Sequence, residues 1–276
     1  MRAAAAEEDG ALNGGPAEKT SILGGKTMRK KNAGAIAIKC LALLIVLGTA
    51  HQAAAQDAAT PYPKMAPIEQ YMMDRTAEIA LARSAAPDSI SSDATVLVLG
   101  RRGFETAVQG KNGFVCIVER GWTAAFDWPE FWNPKVRAAA CLNPQAARSM
   151  LPVDFLRTRM VMAGRSKSEI LSAVKAAFAN KQLPDLETGA MCYMMSKTAY
   201  LSDQDGHTVS HVMFYTAGFD AKDWGSGAAG SPVVSVPYWF FMSDDPSQMK
   251  GLPPILVSLV LVPTWSDGTP VGKLQE

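Results

Sequence analysis

Long apolar runs are missing from this chain. Its greasiest stretch, Cys40-Leu-Ala-Leu-Leu-Ile-Val-Leu47, follows Lys39 and fades by Ala50, well short of the roughly 20 apolar residues a membrane-spanning helix requires. Runs of like charge are missing too, which argues against nucleic acid or an anionic membrane surface as a partner. There is no Gly-x-Ser-x-Gly elbow, no phosphate-binding glycine loop and no dinucleotide fingerprint. Gly225-Ser-Gly-Ala-Ala-Gly230 has the glycines, but neither a strand before it nor a helix after it. Histidine is scarce, three in 276 residues, so histidine chemistry has few positions to draw on. No internal repeat occurs.

What is present begins with a leader. Met28-Arg-Lys-Lys31, the apolar run to Leu47 and Ala53-Ala-Ala55 before Gln56 follow the basic, hydrophobic, small-residue order of a secretory signal. The reading is a signal peptide over 28–55, cleaved near Ala55-Gln56, with the mature chain periplasmic or secreted. Cys40 does not suit a lipoprotein, because the apolar segment follows it. Residues 1–27 stand upstream of a complete signal and read as a mis-assigned extension, with Met28 preferred over Met1 as the start.

From Gln56 onward 221 residues remain, enough for one domain with a real core. They carry 20 basic and 22 acidic residues, a net charge of −2. Three cysteines remain, Cys116, Cys141 and Cys192. In an oxidising compartment that number suggests one disulfide and one spare thiol. All three pairings are open, and Cys116–Cys141 closes the shortest loop.

Residues 56–66 read as a flexible start and 67–276 as a single α+β domain. Pro67 and the apolar spacing behind it predict a helix over 67–84. Thr95–Leu99, Phe104–Val108 and Phe114–Val118 are β-rich and separated by turn signals, including Asn112-Gly113, which predicts a three-stranded antiparallel meander. Asn143-Pro144 starts a helical segment running toward Gly164, bent or broken at Pro152. Ser166-Lys-Ser-Glu169 is a capping box, with Ile170, Leu171, Val174, Ala177 and Phe178 on one face behind it. Strands return at 191–195, 209–216, 233–242 and 255–262. Strands, then helices, then strands indicate a mostly antiparallel sheet with a helical insertion between two strand-rich halves.

Gly113-Phe-Val-Cys116, Phe131-Trp-Asn-Pro134, Cys141-Leu-Asn-Pro144, Met191-Cys-Tyr-Met-Met-Ser196 and His211-Val-Met-Phe214 together resemble a family of uncharacterised secreted bacterial proteins. The resemblance covers most of the chain after the leader and implies export. It brings no activity, cofactor or catalytic residue with it.

Candidate chemistry gathers at four places. His207 and His211 invite a metal reading with Asp203 or Asp205. Four residues of strand span about 13 Å, whereas two zinc ligands sit only about 4 Å apart, so one ion requires the strand to begin after His207. Ser202-Asp-Gln-Asp-Gly206 resembles the opening of a calcium loop but lacks the later ligands, which favours a solvated turn. Cys192 and His211 form a nucleophilic pair if neighbouring strands bring them together. The segment 122–132 holds five aromatics, and Trp122, Trp128 and Trp132 with Asp127 and Glu130 are candidates for a ligand cleft; the competing reading is a loop plugged into the core by its rings. Glu105, Glu119, Asp127 and Glu130 supply carboxylates for a glycosidase pair only if the fold sets their separation. Tyr238-Trp-Phe-Phe241 reads as strand core.

The leading functional reading is binding of a small molecule or an envelope component. The alternatives are a hydrolase or redox enzyme using His211 with Cys192 or a metal, and a structural envelope protein. No cofactor is assigned by these residues.

Overall fold

The short β-rich runs of the first half and the apolar runs of the second join into one eight-stranded sheet. The computed structural model describes residues 61–218, 220–243 and 245–272, all within one compact unit. The expected signal segment, the extension before it and residues 56–60 lie outside the described residues. The strands are β1 (Thr95–Gly100), β2 (Gly103–Val108), β3 (Val115–Glu119), β4 (Ala138–Leu142), β5 (Met191–Met194), β6 (Tyr200–Ser202), β7 (Gly206–His207), β8 (His211–Ala217), β9 (Val233–Pro237) and β10 (Ile255–Leu261). The large sheet runs β2-β1-β3-β4-β5-β8-β10-β9, and β6 and β7 form a separate hairpin. Helices α1 (Arg75–Arg83), α2 (Asp88–Ser91), α3 (Pro144–Ser149), α4 (Leu151–Met162) and α5 (Lys167–Ala179) complete the architecture. The protein is α+β, with a mostly antiparallel sheet and α3 to α5 inserted between β4 and β5, which are themselves paired. Among the described residues, no helix is long and apolar enough to cross a membrane.

One pairing departs from the expected meander. β3 lies beside β1, not β2, and runs parallel to it, with Thr95 opposite Val115. The connection between β2 and β3 crosses the start of β1. There the amide of Lys111 donates to the Asp93 carbonyl at 2.8 Å, and a Cβ on Gly110 would stand 2.2 Å from the Thr95 nitrogen. Only glycine permits so close a crossing. The helix expected over 67–84 is also divided. A 3-10 turn covers Ile68–Tyr71, Met72 is extended, and Asp74 restarts the chain as an N-cap that accepts from the Ala77 amide at 2.9 Å. A capping side chain of this kind competes with an uninterrupted helix. The segment at 144–163 breaks at Met150, next to Pro152, whose missing N–H suits the first turn of α4. The capping box at Ser166 and Glu169 is present as expected.

The register divides the sheet into two faces. Ile117, Ala140, Leu142, Cys192, Met194, Met213, Tyr215 and Val257 pack into a core that also holds residues of α3, α4 and α5. On the other face, Val96, Cys116, Val118, Ala139 and Cys141 pack with α1 residues such as Ala82. Cover on both faces explains why β4 is buried at every position. Cys116 and Cys141 stand directly opposite one another in the β3–β4 register and form the disulfide. Cys192 is free and buried.

Candidate functional site

The described residues line an open cavity of about 730 Å³ where β5 and β10 end and β8 begins, on the face of the sheet that packs against α3, α4 and α5. Its floor is two neighbouring cross-strand pairs: Met194 stands opposite His211 on β5 and β8, and Met213 opposite Leu259 on β8 and β10. Its walls are three half-buried tryptophans from three separate segments, Trp128, Trp239 and Trp265. The β6–β7 hairpin and the residues after it add Leu201, Asp205, His207 and Val209 at the mouth.

Each wall is fastened to the scaffold. The Asp127 amide donates to the Met242 carbonyl at 3.0 Å, tying the Trp128 segment to the Trp239 turn. Both are held by Arg157 of α4, which is fully buried. Its Nη1 donates to the Phe240 carbonyl at 2.9 Å, its Nη2 donates to the Ala124 carbonyl, and its guanidinium lies 4.3 Å from the Phe126 ring centroid. The third wall is stapled by the Ser266 amide to the Met195 carbonyl at 3.0 Å and by Ser210 Oγ to the Thr264 carbonyl at 2.6 Å. Lys197, at the rim, is ion-paired with Asp267. Trp239 faces the cavity because the strand expected over 233–242 stops at Pro237, which offers no N–H to the ladder. Tyr238 then takes a left-handed conformation, φ 56°, and turns the chain into a 3-10 helix over Trp239–Phe241.

The structure does not bring together the cleft expected from residues 122–132. Trp122 and Trp132 are 0% and 5% exposed. Trp122 donates from Nε1 to Thr158 Oγ1 at 3.0 Å and lies 4.8 Å from the Tyr71 ring. Trp132 meets Phe131 edge to face at 4.6 Å. Glu130 is buried and accepts from Asn133 Nδ2, while Asp127 is half-buried and does not line the cavity. The rings at 122, 126, 131 and 132 are core, and Trp128 alone of the expected set faces the cavity. The reason is geometric: the segment follows no regular period, so each ring points wherever its local turn sends it.

The nucleophilic pair is not assembled either. Cys192 and His211 sit on adjacent strands and one face, but Cys192 is opposite Met213 and His211 opposite Met194, a diagonal of about 7–8 Å. Tyr215 donates its hydroxyl to Cys192 Sγ at 3.0 Å, and burial pushes the thiol well above the ordinary range, so it stays protonated and a poor nucleophile. His211 is buried, its Nδ1 is 2.7 Å from the Val209 carbonyl, and burial lowers its pKa.

The metal set is divided. β7 ends at His207 and β8 begins at His211, so no continuous strand separates the histidines, and both reach the cavity. Asp203 turns elsewhere, bonded by the Tyr62 and Tyr200 hydroxyls and, at 2.7 Å, by Lys135. Asp205 accepts from Ser202 Oγ at 3.0 Å. Among the described residues, no group of three or more His, Cys, Asp or Glu is arranged to hold a metal ion.

The glycosidase set is dispersed as well: Glu105 pairs with Arg75 at the surface, Glu130 with Asn133. Glu119 instead shares its surroundings with Asp154 of α4, a residue whose sequence context carries no distinguishing signal. Burial, then the Asp154 charge, pushes Glu119 up to about 8, and burial pushes Asp154 up to about 7 against the opposing pull of Arg157. Raised carboxylate values mean that the folded state holds more protons than the unfolded chain. The stability this contributes is complete below the unfolded values near 4 and is lost as pH rises through 7 and 8. Below about 6.5 His211 acts in the opposite sense, since its lowered value makes folding less favourable as the unfolded histidine protonates. The expected result is a fall in unfolding free energy on the order of 2 kcal/mol between pH 6.5 and 8.5, largely removed by Glu119→Gln. Urea titrations at four pH values check it; a flat profile in the parent protein sinks it.

No protein-family model, curated protein or solved structure matches this chain in sequence or fold comparison. Function is therefore read from the site itself.

Proposed function

We propose that this chain is a binding protein for a small, mainly apolar, ring-bearing molecule, which it holds between Trp128, Trp239 and Trp265. The observation that carries this reading is the cavity of about 730 Å³, a volume typical of sites for drug-sized ligands, which lie in the range of about 300–1,000 Å³. Its walls are indoles and its floor methionine and leucine, with few polar groups, the usual composition of such sites. Catalysis through Cys192 has no support in the geometry, because its thiol is protonated and bonded to Tyr215. Export through the leader, with ligand capture in the periplasm or outside the cell, fits the disulfide and the predicted cleavage near Gln56.

N-phenyl-1-naphthylamine, an uncharged probe that fluoresces in apolar surroundings, is the direct test. It is expected to bind saturably at one site and to quench tryptophan emission by energy transfer. Trp128→Ala and Trp265→Ala each weaken it about tenfold, given about 0.5–1.5 kcal/mol for an aromatic contact plus the area lost. Trp224→Phe leaves it unchanged, since Trp224 stacks on Phe214 on the opposite face of the sheet. Unsaturable binding, or equal binding by the cavity variants, removes the proposal.

A further inference from the structure

Two buried polar side chains line this cavity among the described residues: Thr208, whose hydroxyl donates to the Val209 carbonyl at 3.1 Å, and His211, which is 3% exposed and lies in the floor. The Val209 carbonyl beside Nδ1 can only accept a hydrogen bond, so Nδ1 carries the ring proton. Nε2 is then left with a lone pair, and among the described residues no group donates to it. Its neighbours on the sheet are Met194 opposite, Met213 two residues along β8 and Leu261 across on β10, none of which can donate. Among the described residues, the side-chain nitrogens shut off from solvent without a partner are Arg83 Nε and Arg157 Nε, not His211 Nε2, which therefore opens onto the space where the ligand must lie.

Resting on the cavity as the binding site, we infer that His211 selects the ligand: the preferred class is an uncharged aromatic bearing a hydroxyl or N–H donor, its ring between the tryptophans and its donor on Nε2. Negative charge on the ligand is disfavoured by the same lining. Lys197 is engaged by Asp267, and an anion would meet the Nε2 lone pair. Asp205 and His207 lie at the exposed mouth, out of the apolar floor.

A matched pair of probes separates this inference from the reading beneath it. Calorimetric titration of the full chain with 2-naphthol and 2-methoxynaphthalene compares the same ring with and without a donor. The expected result is about tenfold tighter binding of 2-naphthol, as one net hydrogen bond inside the cavity implies. In His211→Phe, which keeps the ring volume, the two probes bind equally. In His211→Gln, which keeps an acceptor, the preference persists. The ¹⁵N resonance of His211 Nε2 in the parent protein shifts with 2-naphthol and not with its methyl ether, a readout that needs no variant. Equal affinities in the parent overturn the role of His211 while leaving the cavity as a binding site. A preference that survives in His211→Phe overturns it too. Failure of both probes to bind overturns the cavity reading and this inference together.

Discussion

Replacing Arg120 with methionine will lower the unfolding free energy by about 3–5 kcal/mol, because it strands a buried charge. Arg120 and Glu78 are 1% exposed each, and Nη2 lies 2.8 Å from Glu78 Oε1. The guanidinium also donates from Nε to the Tyr71 carbonyl at 2.9 Å and from Nη1 to the Val118 carbonyl. Burial lowers the Arg120 pKa, opposed by the Glu78 charge. In the variant the Glu78 carboxylate keeps the Leu99 amide, 3.1 Å away, and the more distant charge of Arg137, and must either stay charged in the core or take up a proton. The double variant Glu78→Leu/Arg120→Met is expected to recover much of the loss, since removing both partners also removes the desolvation penalty. Recovery stops short of complete, because the Leu99 amide and two carbonyls lose their partners. Urea unfolding of the parent, Arg120→Met and the double variant checks this; Arg120→Met within about 1 kcal/mol of the parent sinks it.

Loss of the disulfide is expected to have the next largest effect. Cys116 and Cys141 are 25 residues apart and fully buried, and closing a loop of that length restricts the unfolded chain by about 3–4 kcal/mol in the chain-entropy account. The Cys116→Ala/Cys141→Ala variant should therefore lose about 3 kcal/mol, with its fold intact because both positions lie in a covered strand pair. Thiol titration supplies an internal control. After the expected cleavage at Gln56, Cys192 alone reacts in urea without reductant, none reacts under native conditions because Cys192 is buried, and all three react once reductant is added. A native protein with three reactive thiols contradicts both the pairing and the oxidising compartment.

Much of the local structure was legible in the residues, because it depends on neighbours within a turn. Ser166 and Glu169 cap α5 through atoms three residues apart, and Asn143 caps α3 in the same way, accepting from the Ala146 amide at 2.9 Å. Asp74 is equally legible as a cap, but the apolar spacing that predicts one helix over 67–84 continues past it. The order of strands, helices and strands yielded the fold class. The partner of β3 was not legible, since the antiparallel and parallel choices differ only in how the connection crosses β1.

The candidate site was legible in fragments. His207, His211, Asp205 and Trp128 do share one cavity, but as lining and not as a metal centre or a cleft of residues 122–132. Trp265 carried a modest signal, an aromatic ring standing between Pro263 and the Asp267-Gly268 turn. Trp239 was masked by an apolar run that looks like a strand until Pro237 and a left-handed Tyr238 end it.

Composition, charge, caps and apolar periodicity determined by themselves that this chain builds an α+β sheet protein with enough apolar residues for a real core. Tertiary structure alone decided which tryptophans fill that core and which surround open space. Caps and strand periods act over a few residues of chain, whereas a cavity is the volume that side chains from β5, β8, β10 and three distant loops leave unfilled once their registers are set.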